Sequence, residues 1–175
     1  MRSVIGIDIA APPELVFRLA RDVERWPRLL PHYVATRREA PADEEGRLLV
    51  RFVARRSILP MLGLGVPVAW RSLTWSEADH RRLRFVHGGG ATNGMDVTWR
   101  IEPAGVDGRD CRVEIEHDFR PRVPGWAWLI DRLFTRPIAG RTLATFRDLA
   151  EALAEAAPEP GADKSAVVAA TNPSS

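Results

Sequence analysis

Residues 5–33, IGIDIAAPPELVFRLARDVERWPRLLPHY, hold a strand, a break and two helices within one short stretch of chain. Ile5, Ile7 and Ile9 alternate with Gly6, Asp8 and Ala10, a period of two that predicts a strand with one apolar face. Pro12 and Pro13 lack the N–H that a sheet ladder needs, whereas a proline suits the first turn of a helix. Leu15, Val16, Leu19 and Ala20 then recur at helical spacing, so an amphipathic helix is expected. Asp22-Val23-Glu24-Arg25-Trp26-Pro27 restarts the chain in a new direction, towards a second short helix and an aromatic at Tyr33.

Beyond this opening the pattern is mostly that of strands. Residues 33–38 read as one, and Ala40-Pro41-Ala42-Asp43-Glu44-Glu45-Gly46 as a polar turn. Residues 47–56 follow, with Leu48, Val50, Phe52 and Ala54 on one face. Residues 66–76 and 81–87 pair around Glu77-Ala78-Asp79-His80, and Gly88-Gly89-Gly90 breaks the chain. Met95, Val97, Trp99 and Ile101 alternate with charged and polar residues, as do Cys111, Val113, Ile115, His117 and Phe119. One buried and one wet face is the antiparallel signature.

The chain then turns helical from Trp126 to Phe134, and Pro137 either starts a new helix or kinks a continuous one. From residue 138 to about 155, Leu143, Phe146, Leu149, Ala150 and Leu153 form an apolar stripe. Together these elements predict an α+β domain over residues 1–156, with two short helices after the first strand. A curved antiparallel seven-stranded sheet would wrap around the long C-terminal helix, the helix-grip architecture, leaving an internal pocket of roughly 300–1,000 Å³. Residues 157–175 are rich in Ala, Pro and Ser and lack aromatics, so this tail is expected to be disordered.

Composition narrows the function classes. A length of 175 residues, 45% of them hydrophobic, suits one soluble domain. The cations are 24 arginines and Lys164, and the formal net charge is only +2. With abundant Ala and Pro, this skew suggests a GC-rich genome. The arginines interleave with acids, the pattern of solvated faces, and no nucleic-acid partner is expected. A single cysteine, Cys111, excludes an internal disulfide and gives no zinc spacing, which points to the reducing cytoplasm. Residues 1–10 lack the apolar core and cleavage site of a signal peptide. No uncharged apolar run approaches the roughly 20 residues that span a bilayer. The longest uncharged run, 57–70, is broken by Pro60, Gly63, Gly65 and Pro67 and reads as a loop entering a strand.

Familiar catalytic signatures are missing: there is no nucleophile elbow, phosphate loop, HExxH helix or dinucleotide glycine pattern. The three glycines from Gly88 precede no helix and read as a turn. The four histidines have no ligand spacing, so no metal site is expected. Strand faces say more. His87 continues the face of Leu83 and Phe85, and His117 that of Val113 and Ile115, so both rings should point inward. An unpartnered buried imidazole costs on the order of 1–3 kcal/mol, so each must bond a neighbour, a water or a ligand.

The order strand, Pro break, two helices resembles the opening of the START-like helix-grip (SRPBCC) superfamily, which includes polyketide aromatase/cyclases and coenzyme Q-binding proteins. Trp26-Pro27-Arg28-Leu29-Leu30-Pro31-His32-Tyr33 is similar to the Trp-Pro…Tyr segment of the polyketide cyclase/dehydrase branch. Gly94-Met95-Asp96-Val97-Thr98-Trp99 resembles its strand with Met and Trp four residues apart, Trp70-Arg71-Ser72 its Trp-x-Ser strand, and Arg141-Thr142-Leu143 the opening of its last helix. The resemblance places pocket residues at Tyr33, Trp70, Ser72 and Trp99. It also puts two pocket arginines at positions that here hold Thr74 and, if the glycine turn is one residue shorter, His87. The loss of both guanidinium groups matters, because stabilising developing negative charge is usually the largest catalytic contribution.

The resemblance implies a hydrophobic polyketide-like or aromatic ligand in an internal cavity, and cofactor-free cyclisation by aldol condensation and dehydration. Tyr33 and His87 would handle protons, Ser72 and Thr74 would bond a carbonyl, and Trp70 and Trp99 would form walls beside Phe85 and His117. The alternative is a non-catalytic quinone or lipid carrier. Residues 58–66, from Ile58 to Val66, form an apolar segment flanked by Arg55, Arg56 and Arg71; Trp126, Trp128, Leu129 and Ile130 form another beside Arg120 and Arg122. Apolar tips ringed by arginine fold over the chain's own core, close as a lid, or rest on a lipid surface as a peripheral membrane contact. No feature of the sequence sets an oligomeric state.

Overall fold

The computed structural model describes residues 1–59, 64–105, 107–121 and 123–157; the tail beyond Ala157 lies outside them. Strand β1 (Arg2–Ile9) leads into α1 (Pro13–Arg21) and the single turn α2 (Trp26–Leu29). Six strands follow: β2 (Tyr33–Arg38), β3 (Leu48–Leu59), β4 (Leu64–Glu77), β5 (Arg82–Gly88), β6 (Asp96–Ala104) and β7 (Asp110–Asp118). Helix α3 (Trp126–Ile130), a π-helical turn (Asp131–Thr135) and α4 (Arg136–Glu155) complete the chain. The sheet runs β1-β7-β6-β5-β4-β3-β2 with every neighbour antiparallel. It is the curved seven-stranded helix-grip sheet around a long C-terminal helix that the strand pattern predicts. No helix among the described residues is long and apolar enough to cross a membrane.

Helix α1 follows its sequence cues. Pro13 opens it, Glu14 lies in the first turn, and Arg18 and Arg21 lie in the last, each charge at its favoured end of the helix dipole. Its buried face carries Val16, Phe17 and Ala20. The Trp26 indole N–H then donates to the Ala20 carbonyl at 3.0 Å, fixing α2 against the end of α1.

Two expectations change. The segment 58–66 is not simply a loop, because β3 and β4 continue as one long hairpin whose register runs from Leu48↔Thr74 to Leu59↔Leu64; the turn at 60–63 lies outside the described residues. Gly65 permits this close pairing: a Cβ there would stand 2.6 Å from Arg55 Cγ and 3.0 Å from the Arg56 carbonyl oxygen. Ile130, expected at an apolar tip, is fully buried, whereas Trp128 is 59% exposed.

At Pro137 the helix is continuous in direction but widened. The backbone stays helical through Asp131 (φ −59°, ψ −49°) and Arg136 (φ −59°, ψ −47°), with the π turn immediately before the proline. A proline has no N–H to give the carbonyl four residues back, which here is Leu133. The Arg56 guanidinium, reaching from β3, donates to that carbonyl instead. Helix α4 buries Ala139, Thr142, Leu143, Phe146 and Ala150 against the sheet. Leu153 continues the stripe, but the core ends a turn earlier and leaves it 42% exposed.

Candidate functional site

Alternation in β3 to β7 sends one row of side chains from each strand onto the concave face beneath α4. The register aligns Phe52 with Trp70, Phe85 with Val97, Leu83 with Trp99, and Val97 with His117. Trp26 comes down onto this surface from α2. It is 2% exposed, and its ring centroid lies 5.1 Å from Tyr33, 5.7 Å from Phe52, 5.9 Å from Phe85, 5.5 Å from Trp99 and 6.0 Å from Phe146. All of these rings except Phe146 line a cavity of about 620 Å³, counted out through its mouth, between the sheet and the start of α4.

Tyr33, Trp70, Phe85, His87, Trp99 and His117 all lie on the cavity wall. Tyr33 and His87 do not meet directly: the Trp70 ring is in contact with both, 6.0 Å from Tyr33 and 5.9 Å from His87. Ser72 and Thr74 share the concave face but are not part of the wall. Both are buried, and their hydroxyls turn to main chain, Ser72 Oγ to the Leu73 carbonyl at 3.3 Å and Thr74 Oγ1 to the Ser72 carbonyl at 3.5 Å. Strand parity fixes the face of a side chain but not whether other atoms cover it. The carbonyl-binding role assigned to these two hydroxyls therefore does not fit their placement.

The described wall carries no charged side chain other than its two histidines, and burial keeps those neutral. Burial lowers His87 to about 3, with His117 nearby adding to the effect. Burial also takes His117 down to about 4, opposed by Asp131 and assisted by Arg136. Tyr33 is pushed up by burial, only partly offset by a hydrogen bond with Thr142, so it remains a phenol. Neither cavity histidine has a hydrogen bond among the described residues, and the Nδ1 of each is buried without a partner. A buried unpaired N–H is more costly than a buried lone pair, so the favoured neutral tautomer carries its proton on Nε2. Each ring thus offers an N–H donor but no positive charge near neutral pH.

Two polar residues escaped the reading of the chain. His32 is buried, its Nε2 is 2.8 Å from Thr142 Oγ1, and Thr142 donates to the Ile138 carbonyl at 2.8 Å. A threonine hydroxyl has one proton, so with that proton on Ile138 it accepts from the His32 Nε2–H. Thr142 also faces the cavity. Strand periodicity would place His32 and Tyr33 on opposite faces; the chain bends at Leu30–Tyr33, where the Tyr33 N–H meets the Leu30 carbonyl, and buries both. Among the described residues no group of three or more His, Cys, Asp or Glu is placed to hold a metal.

The architecture and this interior define a helix-grip protein built around an aromatic, uncharged cavity. The chain belongs to the polyketide cyclase/dehydrase and lipid transport family, whose sequence profile matches residues 3–157. It is 30% identical over 155 residues to the granaticin polyketide synthase bifunctional cyclase/dehydratase of Streptomyces virginiae, covering 84% of this chain and 46% of that protein. The chain therefore spans about half the length of this curated relative. Among solved structures, the Zhui aromatase/cyclase from Streptomyces sp. R1128 superposes with a TM-score of 0.69 at 16% identity, over 86% of this chain and 93% of that one. A START superfamily protein from Mycobacterium smegmatis superposes with a TM-score of 0.59 at 17% identity, over 89% and 97% of the two chains. These two likenesses are of fold.

Proposed function

We propose that the protein binds a neutral, aromatic or polyketide-like molecule in this cavity and engages its carbonyl or hydroxyl groups through His87 and His117. The observation that carries this reading is the pair of uncharged imidazoles, without hydrogen-bond partners among the described residues, in a wall otherwise made of aromatic and aliphatic side chains and three threonines. A ligand with a matching acceptor offsets what their burial costs, while Trp70 and Trp99 supply flat apolar contact.

The chemistry such groups support is hydrogen-bond activation. A neutral N–H on a carbonyl oxygen favours enolisation of the adjacent carbon. The enol carbon then bonds to a second carbonyl carbon of the same chain while the enol proton passes to that carbonyl's oxygen. The resulting hydroxyl leaves as water with a neighbouring α-hydrogen, and tautomerisation of the remaining ketones completes an aromatic ring. With a ring held as low as about 3, His87 acts as a hydrogen-bond donor here and not as an imidazolium acid. Mass spectrometry of the freshly purified protein under native conditions should show a bound aromatic or polyketide-like small molecule. Replacing His87 with Ala should lower affinity for that molecule about tenfold, the value of one well-made hydrogen bond in a dry site, with the fold retained. Unchanged binding, and unchanged turnover of a poly-β-ketone substrate, would remove His87 from the role.

A second reading, a carrier of quinone or lipid, is favoured by one observation. Trp128 at 59%, Leu133 at 40% and Val123 at 60% exposure crowd the helical segment whose next residues, Phe134 and Thr135, line the cavity. This reading expects co-sedimentation with phosphatidylcholine liposomes that Trp128→Glu abolishes. If the substitution leaves sedimentation unchanged, this surface does not dock on lipid.

A further inference from the structure

A second pocket, about 300 Å³ counted to its mouth, lies between the end of β3 and the first turns of α4. Its described lining is His32, Arg55, Arg56, Pro137, Ile138 and Arg141, which is three guanidinium groups and an imidazole without a carboxylate. The paired arginines elsewhere are each set against an acid: Arg2 and Arg100 share Glu116, Arg47 takes Asp43 and Glu45, and Arg112 takes Asp8 and Glu114. Among the described residues neither Arg55 nor Arg141 has an acidic partner within 4.0 Å. Arg56 is held in place by its hydrogen bond to the Leu133 carbonyl. Like charges gathered in one concave site repel one another, and a bound anion removes that repulsion while accepting their N–H groups.

The charge of the cluster is already felt inside it. His32 is lowered to about 4, first by burial and then by the neighbouring Arg141. The pocket also adjoins the aromatic cavity. Ile138 lines both, and the His32 ring hydrogen-bonds Thr142, which faces the cavity.

From this geometry we propose that the pocket is an anion site that seats a carboxylate or phosphate group beside the uncharged cavity. Arg55 and Arg141 are its binding residues, Arg56 its fixed wall, and His32 the contact that joins it to Thr142. Anion binding itself needs nothing in the aromatic cavity, although one source of the anion would extend into it. Its anion comes either from the ionised end of an amphiphile whose apolar part enters the cavity or from a free small anion. Inorganic phosphate and dodecyl phosphate separate these sources.

The experiment is calorimetric titration of the full chain with each probe, alongside histidine ring NMR. At least one probe should bind, and Arg141→Gln and Arg55→Gln should each weaken it about tenfold, as expected for one charge-assisted hydrogen bond. Arg147→Gln, on the same helix but paired with Asp148, should leave binding unchanged. The ring signals of His32 should move with the probe while those of His80 stay. Both arginines are exposed, so thermal melting should be unaffected by either substitution. Tight binding of dodecyl phosphate alone assigns the anion to an amphiphile, and binding of both assigns it to phosphate itself. No binding of either probe at millimolar concentration, or equal affinity in the wild type and both variants, overturns the proposal.

Discussion

His87 and His117 are the two imidazoles of the cavity wall, and burial among its side chains disfavours their charged form. Each ring titrates near its ordinary 6.5 in the unfolded chain, but at about 3 and about 4 in the fold. Below pH 6.5 the unfolded chain therefore binds protons that the native state does not. Stability contributed by the neutral rings is complete above that pH and is lost as pH falls towards 4, with a slope approaching about 1.4 kcal/mol per pH unit for each ring. Denaturant midpoints at pH 7 and pH 5 should thus fall further for the wild type than for a variant with His87→Gln and His117→Gln together. Equal losses would mean that the rings are not held neutral by burial. Tyr33 is complementary: burial moves it upward, so it stays a hydrogen-bond donor throughout this range.

At the scale of elements, one junction couples the hairpin to the helix that covers it. Pro137 denies the Leu133 carbonyl its usual donor, and Arg56 from β3 supplies one. Arg56→Leu should cost about 1 kcal/mol in chemical denaturation, the low end for a charged hydrogen bond because the pair reaches solvent. The cost should shrink in a Pro137→Ala background, where the restored backbone N–H can serve the same carbonyl. A double-mutant cycle measures this, and zero coupling would show that the two residues act separately. The junction also matters for function, because Phe134 and Thr135 beside it line the cavity and Arg56 walls the pocket of guanidinium groups.

At the scale of the molecule, Trp26 is the hub on which α2, the sheet and α4 converge. Its ring meets Tyr33, Phe52, Phe85, Trp99 and Phe146, which come from β2, β3, β5, β6 and α4. Trp26→Ala should destabilise the domain by about 3–5 kcal/mol, whereas Trp26→Phe should cost clearly less. Thermal and urea unfolding check both, and a small loss for the alanine variant would deny the indole its central place.

The seven strands and their inward rows were legible because strand alternation is local: Phe85, His87, Trp99 and His117 sit where parity puts them. Ser72 and Thr74 obey the same parity yet end up sealed, with their hydroxyls on main chain. His32 and Thr142 were not legible as a pair, since their hydrogen bond joins residues 110 positions apart. The residue pattern by itself determined the elements and their buried faces, which rest on short-range periodicity and backbone chemistry, and its short motifs carried the resemblance to the family. Only the tertiary structure decided which inward side chains face open space and which arginines gather around one pocket. Both depend on how closely α4 and α2 lie over the sheet, and that separation is set by packing across the whole core.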